Sequence, residues 1–134
     1  YYHNVDCHSY SGGVEVTAFN SRAVEALKKA GFEISNSEDA NPIYKIQFAE
    51  DAKPLKAFSK LFDNQANPTE NFAAIMTCSD ADENCPFIAG AEKRIPLRYN
   101  DPKEFDDSPK ESWAYETRSQ QIASEMFYVF SKIQ

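Results

Sequence analysis

No apolar run in this chain approaches the 18 residues that a membrane-spanning helix needs. No segment has the basic, apolar and small-residue order of a secretory signal. Positive charge is also in short supply: 14 Lys and Arg face 21 Asp and Glu, a formal charge of −7. Nucleic acids and anionic membranes are bound through basic faces, so this balance speaks against both as general partners. Cysteine is scarce and odd in number, with Cys7, Cys78 and Cys85 alone. A small secreted scaffold held by disulfides carries more of them, in an even count. Few thiols and no export signal point to a reducing cytoplasm, where a close thiol pair serves metal binding or redox chemistry. Internal repeats and low-complexity tracts are absent. There is no initiator methionine, and the opening "YYHNVD" reads as a start inside a longer protein.

What is present is a globular composition. The 134 residues are 42% hydrophobic and 13% aromatic, enough for one domain over 1–134 with its own core. "HNVDCHSY" (3–10) puts Val5, Cys7 and Ser9 on one side at strand spacing, and "SGG" ends it in a turn. Asn20 is placed to cap a helix over 21–30, with Val24, Leu27 and Ala30 on one face and Gly31 closing it. "IYKIQF" alternates as a strand. With "LKAFSKLF" it predicts a hairpin at about 43–59, although 55–62 also fits a short helix. "FAAIM" (72–76) is continuous, which predicts a strand buried on both faces of a parallel sheet. "KRIPLRY" predicts a short strand at an edge, because of Pro96. The longest helical signal covers 109–133, with Ser108 as N-cap, Pro109 in the first turn, and a stripe of Trp113, Ile122, Met126, Val129, Phe130 and Ile133. Strands alternating with helices predict an α/β sandwich.

Three places could carry chemistry. Six residues separate Cys78 from Cys85, with Asp80, Asp82 and Glu83 among them. The two cysteines suit a dithiol that cycles to a disulfide. They suit zinc less well, since its ligands come closer together and with further Cys or His nearby. One core thiol and one incidental thiol is the plain alternative, and the acidic neighbours, which raise a thiol's pKa, favour it. Asp101, in "YNDP" after the last strand, is either a general acid at a strand's carboxyl end or a turn former before proline. Cys7 and His8 point to opposite faces of a strand, so Cys7 reads as a buried structural thiol. "SGG" reads as a plain turn or an anion cradle. Arg94 and Arg98 read as solvated side chains or oxyanion ligands.

"TCSDADENCP", followed by "KRI" and "NDP", resembles the thioredoxin-coupled arsenate reductases, which share the low-molecular-weight protein tyrosine phosphatase fold. "YSGGVEVTAFNSRAVEALKKAGFEI" is similar to that family's second strand and second helix, and "SWAYETRSQQIASEMFYVF" to its closing helix. The segment 41–68 fits least. The resemblance implies a three-layer α/β sandwich with a mainly parallel sheet. It also implies a relay of three thiols: a first cysteine in a C-x5-R loop attacks arsenate, Cys78 attacks the adduct and releases arsenite, and Cys85 takes Cys78 into a disulfide. Thioredoxin or another thiol reductant is the implied co-substrate, with no bound cofactor or metal. Asp101 is the implied general acid.

One part of the pattern is missing. Six positions after Cys7, Cys78 and Cys85 stand Gly13, Asn84 and Ala91, so no C-x5-R loop occurs. The family's first strand and most of its first helix are not in these residues either. The expectation is a truncated reductase domain, inactive as it stands, with an open strand edge on which two copies could dimerise. A low-molecular-weight phosphatase acting on phosphotyrosine or a similar oxyanion ester is the rival, with Tyr99 and Phe105 available to flank a phenol ring. A non-catalytic binding module of the same fold is the third reading.

Overall fold

The structure, a computed structural model, describes residues 2–77 and 87–133. The first regular element is helix α1, Ser21–Lys29. Asn20 has extended backbone and its side chain accepts from the Arg22 N–H at 2.8 Å, so the predicted cap is made. Lys28 and Lys29 lie in the last turn, where the helix dipole favours cations. Gly31 follows at φ +95°, the left-handed conformation that ends many helices.

Strands β1 (Glu33–Asn36), β2 (Tyr44–Gln47) and β3 (Leu55–Ala57) form an antiparallel meander in that order. Tyr44 pairs with Ala57 and Ile46 with Leu55, which is the expected hairpin. Residues 55–57 are thereby strand and not helix. Of the alternating residues in β2, Ile46 is buried.

Strand β4 (Phe72–Met76) pairs in parallel with β5 (Ala91–Pro96). Helix α2 is Glu111–Phe130, and a 3-10 turn over Pro102–Phe105 joins it to β5. The chain is therefore α/β, with parallel pairing at β4–β5 and the hairpin enlarged to a three-stranded sheet.

Four local expectations change. Residues 4–12 form no strand; instead Gly13 makes a parallel bridge to Leu61, and an extended segment without a ladder partner is not a strand. The β4 strand is not buried on both faces. Met76 is buried and Phe72 and Ala74 are half-buried, while Ala73 and Ile75 are exposed. One face of β4 packs on a small core of Met76 and Ile88 with Phe62, Phe72, Ala74 and Ala91. Helix α2 begins later than expected, with Lys110 at the cap position; the Ser108 hydroxyl still accepts from the Lys110 N–H at 3.2 Å. The predicted stripe is only partly the covered face of α2: Ile122, Met126 and Phe130 are half-buried, while Val129 and Ile133 are exposed. Ala114 and Tyr115 are buried where α2 meets α1, and Trp113 is 60% exposed.

Candidate functional site

The carboxyl ends of parallel strands are where open α/β sheets hold their sites. Here those ends belong to β4 and β5. Met76 pairs with Pro96 at the last ladder position. The pairing then continues beyond the strands: Leu97 N–H donates to the Met76 carbonyl at 2.8 Å and Tyr99 N–H to the Thr77 carbonyl at 3.1 Å. Tyr99 is thus beside the residue that precedes Cys78. Cys78 and Cys85 themselves lie outside the described residues. Beyond them, Ile88 is packed into the Met76 core.

Asp101 follows two residues after Tyr99. It caps the 3-10 turn, its side chain accepting from the Lys103 N–H at 2.9 Å, and it is exposed. The turn-forming role expected of an Asp before Pro is therefore real, and the carboxylate remains open to solvent.

The segment that carries Asp101 is fixed by a set of polar contacts. The buried Tyr115 hydroxyl donates to Asp106 Oδ1 at 2.9 Å and accepts from Asn20 Nδ2 at 3.2 Å. Arg22 reaches Asp107 Oδ1 at 2.7 Å, Glu111 Oε2 at 2.6 Å and Asp106 Oδ2 at 3.5 Å. Asp107, at φ +59°, donates its N–H to Glu111 Oε2 at 2.7 Å. Lys29 adds an ion pair to Glu116 at 2.6 Å. The charges respond accordingly. The Glu111 carboxyl is held below its ordinary value by the Asp107 N–H and then by Arg22. Arg22 is raised, first by its bond to Glu111. The Tyr115 phenol is raised by burial and by the Asp106 carboxylate it faces.

A second polar chain runs from Tyr99 along α2. The Tyr99 hydroxyl donates to Glu125 Oε2 at 2.5 Å, Gln121 Nε2 donates to Glu125 Oε1 at 2.8 Å, and Arg118 donates to Gln121. The Arg118 guanidinium lies 5.6 Å from the Tyr99 ring centroid. The bond to Glu125 raises the Tyr99 phenol and holds the Glu125 carboxyl down. Phe105 meets the Trp113 ring edge-on at 6.3 Å.

The remaining candidates separate. Cys7 is free and exposed, which corrects the expectation of a buried thiol; without a strand at 4–12 there is no sheet to cover it. "SGG" is docked on 60–62, with Gly13 N–H donating to the Lys60 carbonyl at 2.9 Å and Phe62 N–H to the Gly13 carbonyl at 3.0 Å. Arg94 pairs with Ala74 in the ladder, and Arg94 and Arg98 are both exposed. Among the described residues no three His, Cys, Asp or Glu converge as a metal site, and no helix is long and apolar enough to cross a membrane.

Sequence reasoning missed Arg22, Tyr115 and Lys60. Nothing local marks Arg22 or Tyr115, since Arg22 meets Asp107 across 85 residues and Tyr115 meets Asn20 across 95. Lys60 had a signal: it is flanked by Phe58, Leu61 and Phe62.

No family model matches this chain, and no solved structure does. Curated proteins do. Over 97 residues it is 31% identical to an arsenate reductase of Staphylococcus aureus, covering 72% of this chain and 58% of that protein. It is 30% identical over 93 residues to an arsenate reductase 2 of Staphylococcus epidermidis, covering 69% and 55%. It is 32% identical over 94 residues to an arsenate reductase 2 of Staphylococcus haemolyticus, again covering 69% and 55%. The matched part is somewhat over half the length of these relatives.

Proposed function

The chain is a relative of the arsenate reductases, in the superfamily they share with the low-molecular-weight phosphatases, and on that premise we propose that it carries the resolving half of a thiol-dependent arsenate reductase. A first cysteine forms a thiol–arsenate adduct. The Cys78 thiolate attacks the sulfur of that adduct, a disulfide forms, and arsenic leaves as arsenite with the two electrons. Cys85 then attacks Cys78, frees the first cysteine, and leaves a Cys78–Cys85 disulfide for thioredoxin or another thiol reductant. Asp101 supplies the proton for the oxygen that leaves arsenic in the first step.

The observation that carries this reading is the register at the end of β4. Bonds from Leu97 and Tyr99 to Met76 and Thr77 hold the Asp101 segment alongside the residue before Cys78. The sequence contains no C-x5-R loop, so this stretch alone is expected not to turn arsenate over.

The experiment is a thiol count with disulfide mapping after mild oxidation. The expected result is one Cys78–Cys85 disulfide, reduced by thioredoxin, with Cys7 free. A disulfide to Cys7, or three free thiols, would overturn the relay.

A phosphatase acting on aryl phosphates is the second reading, favoured by Phe105, on the turn that Asp101 caps, meeting Trp113 of α2 edge-on. In a protein that also carries the nucleophile loop, Cys85→Ser separates the two. A reductase loses thioredoxin-coupled turnover, whereas a phosphatase keeps aryl-phosphate hydrolysis.

A further inference from the structure

Asp101 sits on a short stretch of chain that is held at both ends, each end by a different helix. Before it, Tyr99 donates its N–H to the Thr77 carbonyl at 3.1 Å and its hydroxyl to Glu125 of α2 at 2.5 Å. After it, Arg22 of α1 reaches Asp106, Asp107 and Glu111. A continuous run of contacts leads from Arg22 back to the acid. The guanidinium faces Asp106 Oδ2 at 3.5 Å, and Oδ1 of the same carboxylate accepts from the Tyr115 hydroxyl at 2.9 Å. The Asp106 N–H donates to the Lys103 carbonyl at 3.0 Å. The Lys103 N–H donates to Asp101 Oδ1 at 2.9 Å. Asp101 and Asp106 are thus the two caps of one 3-10 turn. Among the described residues nothing bonds Asp101 Oδ2. One oxygen orients the carboxyl group and the other is left to carry a proton.

Stability alone does not account for the cluster around Arg22. Ion pairs open to solvent add little to it, and the Arg22 side chain is 31% exposed. Three carboxylates around one cation also repel each other. What a guanidinium fixes is direction, because its donors form a rigid planar fork. Asp107 shows the effect. It stands at φ +59°, a conformation that a residue with a Cβ keeps only where its surroundings hold it. Its carboxylate meets Arg22, and its N–H donates to Glu111, which Arg22 also meets. The neighbouring Asp106 is caught in the same fork.

We infer that Arg22 is a positioning residue for Asp101. Through the Asp106 carboxylate it sets the turn whose first cap aims the acid, and it does so without touching the reacting atoms. Tyr115 shares the hold on Asp106 as the lesser partner, with one hydroxyl against a charged fork. The role rests on the reading of Asp101 as the general acid, and it extends the working part of the fold to α1. A displacement of about 1 Å at a reacting group can cost as much as a hundredfold in rate, so a fork that holds direction matters more to the acid than to the fold.

Two measurements test this. In the isotope-labelled 134-residue chain, hydrogen exchange of the Lys103 amide reports the cap bond to Asp101. Arg22→Met is expected to speed that exchange about fivefold, the worth of one hydrogen bond, and to leave the Tyr99 amide unchanged. The second measurement is a double-mutant cycle on kcat/KM for arsenate, in a protein that also carries the nucleophile loop. Asp101→Asn is expected to lower kcat/KM at least about a hundredfold. Arg22→Met is expected to lower it about tenfold, and Tyr115→Phe, which keeps the Arg22 fork, about threefold. In the Asp101→Asn background neither further change is expected to matter, because no acid is left to aim. A role in folding alone would lower the rate equally in both backgrounds. Unchanged Lys103 exchange in Arg22→Met, unchanged kcat/KM, or losses that multiply with that of Asp101→Asn would overturn the inference. If Asp101→Asn itself leaves kcat/KM unchanged, the acid reading fails and the role of Arg22 fails with it. A damaging Asp101→Asn beside a harmless Arg22→Met sinks the role of Arg22 alone.

Discussion

Two regions carry the parts of the candidate site, and they are held by different forces. The corner where α1, the 102–108 segment and α2 come together is tied by charge and hydroxyls, through Arg22, Asp106, Asp107, Glu111, Tyr115 and Asn20. The end of β4 is held by apolar contact, with Met76 and Ile88 its buried members. Asp101 stands on the first region and Cys78 directly follows the second. The proposed acid and the proposed resolving thiol can therefore be disturbed separately. The polar corner spreads its hold over many partners, so losing one leaves others. The strand end has few partners, and each counts for more.

The hardest test of that contrast is Met76→Ala. Truncating a buried methionine costs about 2–5 kcal/mol, a large part of what a domain of this size has in hand. Urea unfolding is expected to show that loss, with the amide shifts of Arg22 and Tyr115 unmoved in the folded state. A loss well under 1 kcal/mol would mean that the strand end is held by something other than its small core.

Next in size is a comparison of two glycines. Gly90 leads into β5 at φ +79°, and a Cβ there would lie 1.7 Å from the Thr69 carbonyl oxygen. Gly31 ends α1 at φ +95° with nothing within 4 Å. Gly90→Ala carries both backbone strain and a clash, and is expected to cost about 1–3 kcal/mol or more. Gly31→Ala carries strain alone, about 1–2 kcal/mol. Equal losses in thermal unfolding would show that the 69–70 backbone gives way and that the strand end is looser than its contacts imply.

On the polar side, Tyr115→Phe removes one hydroxyl and leaves Asp106 Oδ1 and Asn20 Nδ2 to find other partners. Arg22 still faces Asp106, so the cost is expected to be about 1 kcal/mol. A loss as large as that of Met76→Ala would erase the contrast between the regions.

These regions were not equally legible in the sequence. Helix α1 was in its extent, because its cap and its closing Gly31 are local, although its buried residues are Val24 and Ala26, with Leu27 half-buried and Ala30 exposed. The β2–β3 hairpin was legible in part, since the alternation of "IYKIQF" is local while 55–62 also fitted a short helix. The face of α2 was not. Of its stripe from Trp113 to Ile133, Ile122, Met126 and Phe130 are half-buried, but the deepest burial is at Ala114 and Tyr115, where α2 meets α1. Continuous hydrophobicity likewise overstated the burial of "FAAIM", since nothing in a run of apolar residues says whether a second face is covered. Within the candidate site, the place of Asp101 just after the last strand could be read from "NDP" and the strand pattern. The bonds that tie Asp101's segment to α1 could not, because Arg22 meets Asp107 across 85 residues and Asn20 meets Tyr115 across 95.

The smallest expected effect is also the most selective. Glu111 titrates below its ordinary value in the folded chain, first because the Asp107 N–H donates to it and then because of Arg22. Its folded pKa is thus lower than its unfolded one. The stability it contributes is fully present above the ordinary carboxyl value, about 4.3, and is lost as pH falls through the lower folded value. Glu116 and Glu125 are depressed in the same direction, by bonds from Lys29 and Tyr99. Glu111→Gln is therefore expected to flatten the acid limb of a melting-temperature profile while changing little near neutral pH beyond one surface ion pair. Met76→Ala removes no titrating group, and is expected to lower the whole profile without changing its slope. If Glu111→Gln leaves the acid slope unchanged, the polar corner is not what acid loosens, and the division of labour between charge and packing fails where it is easiest to measure.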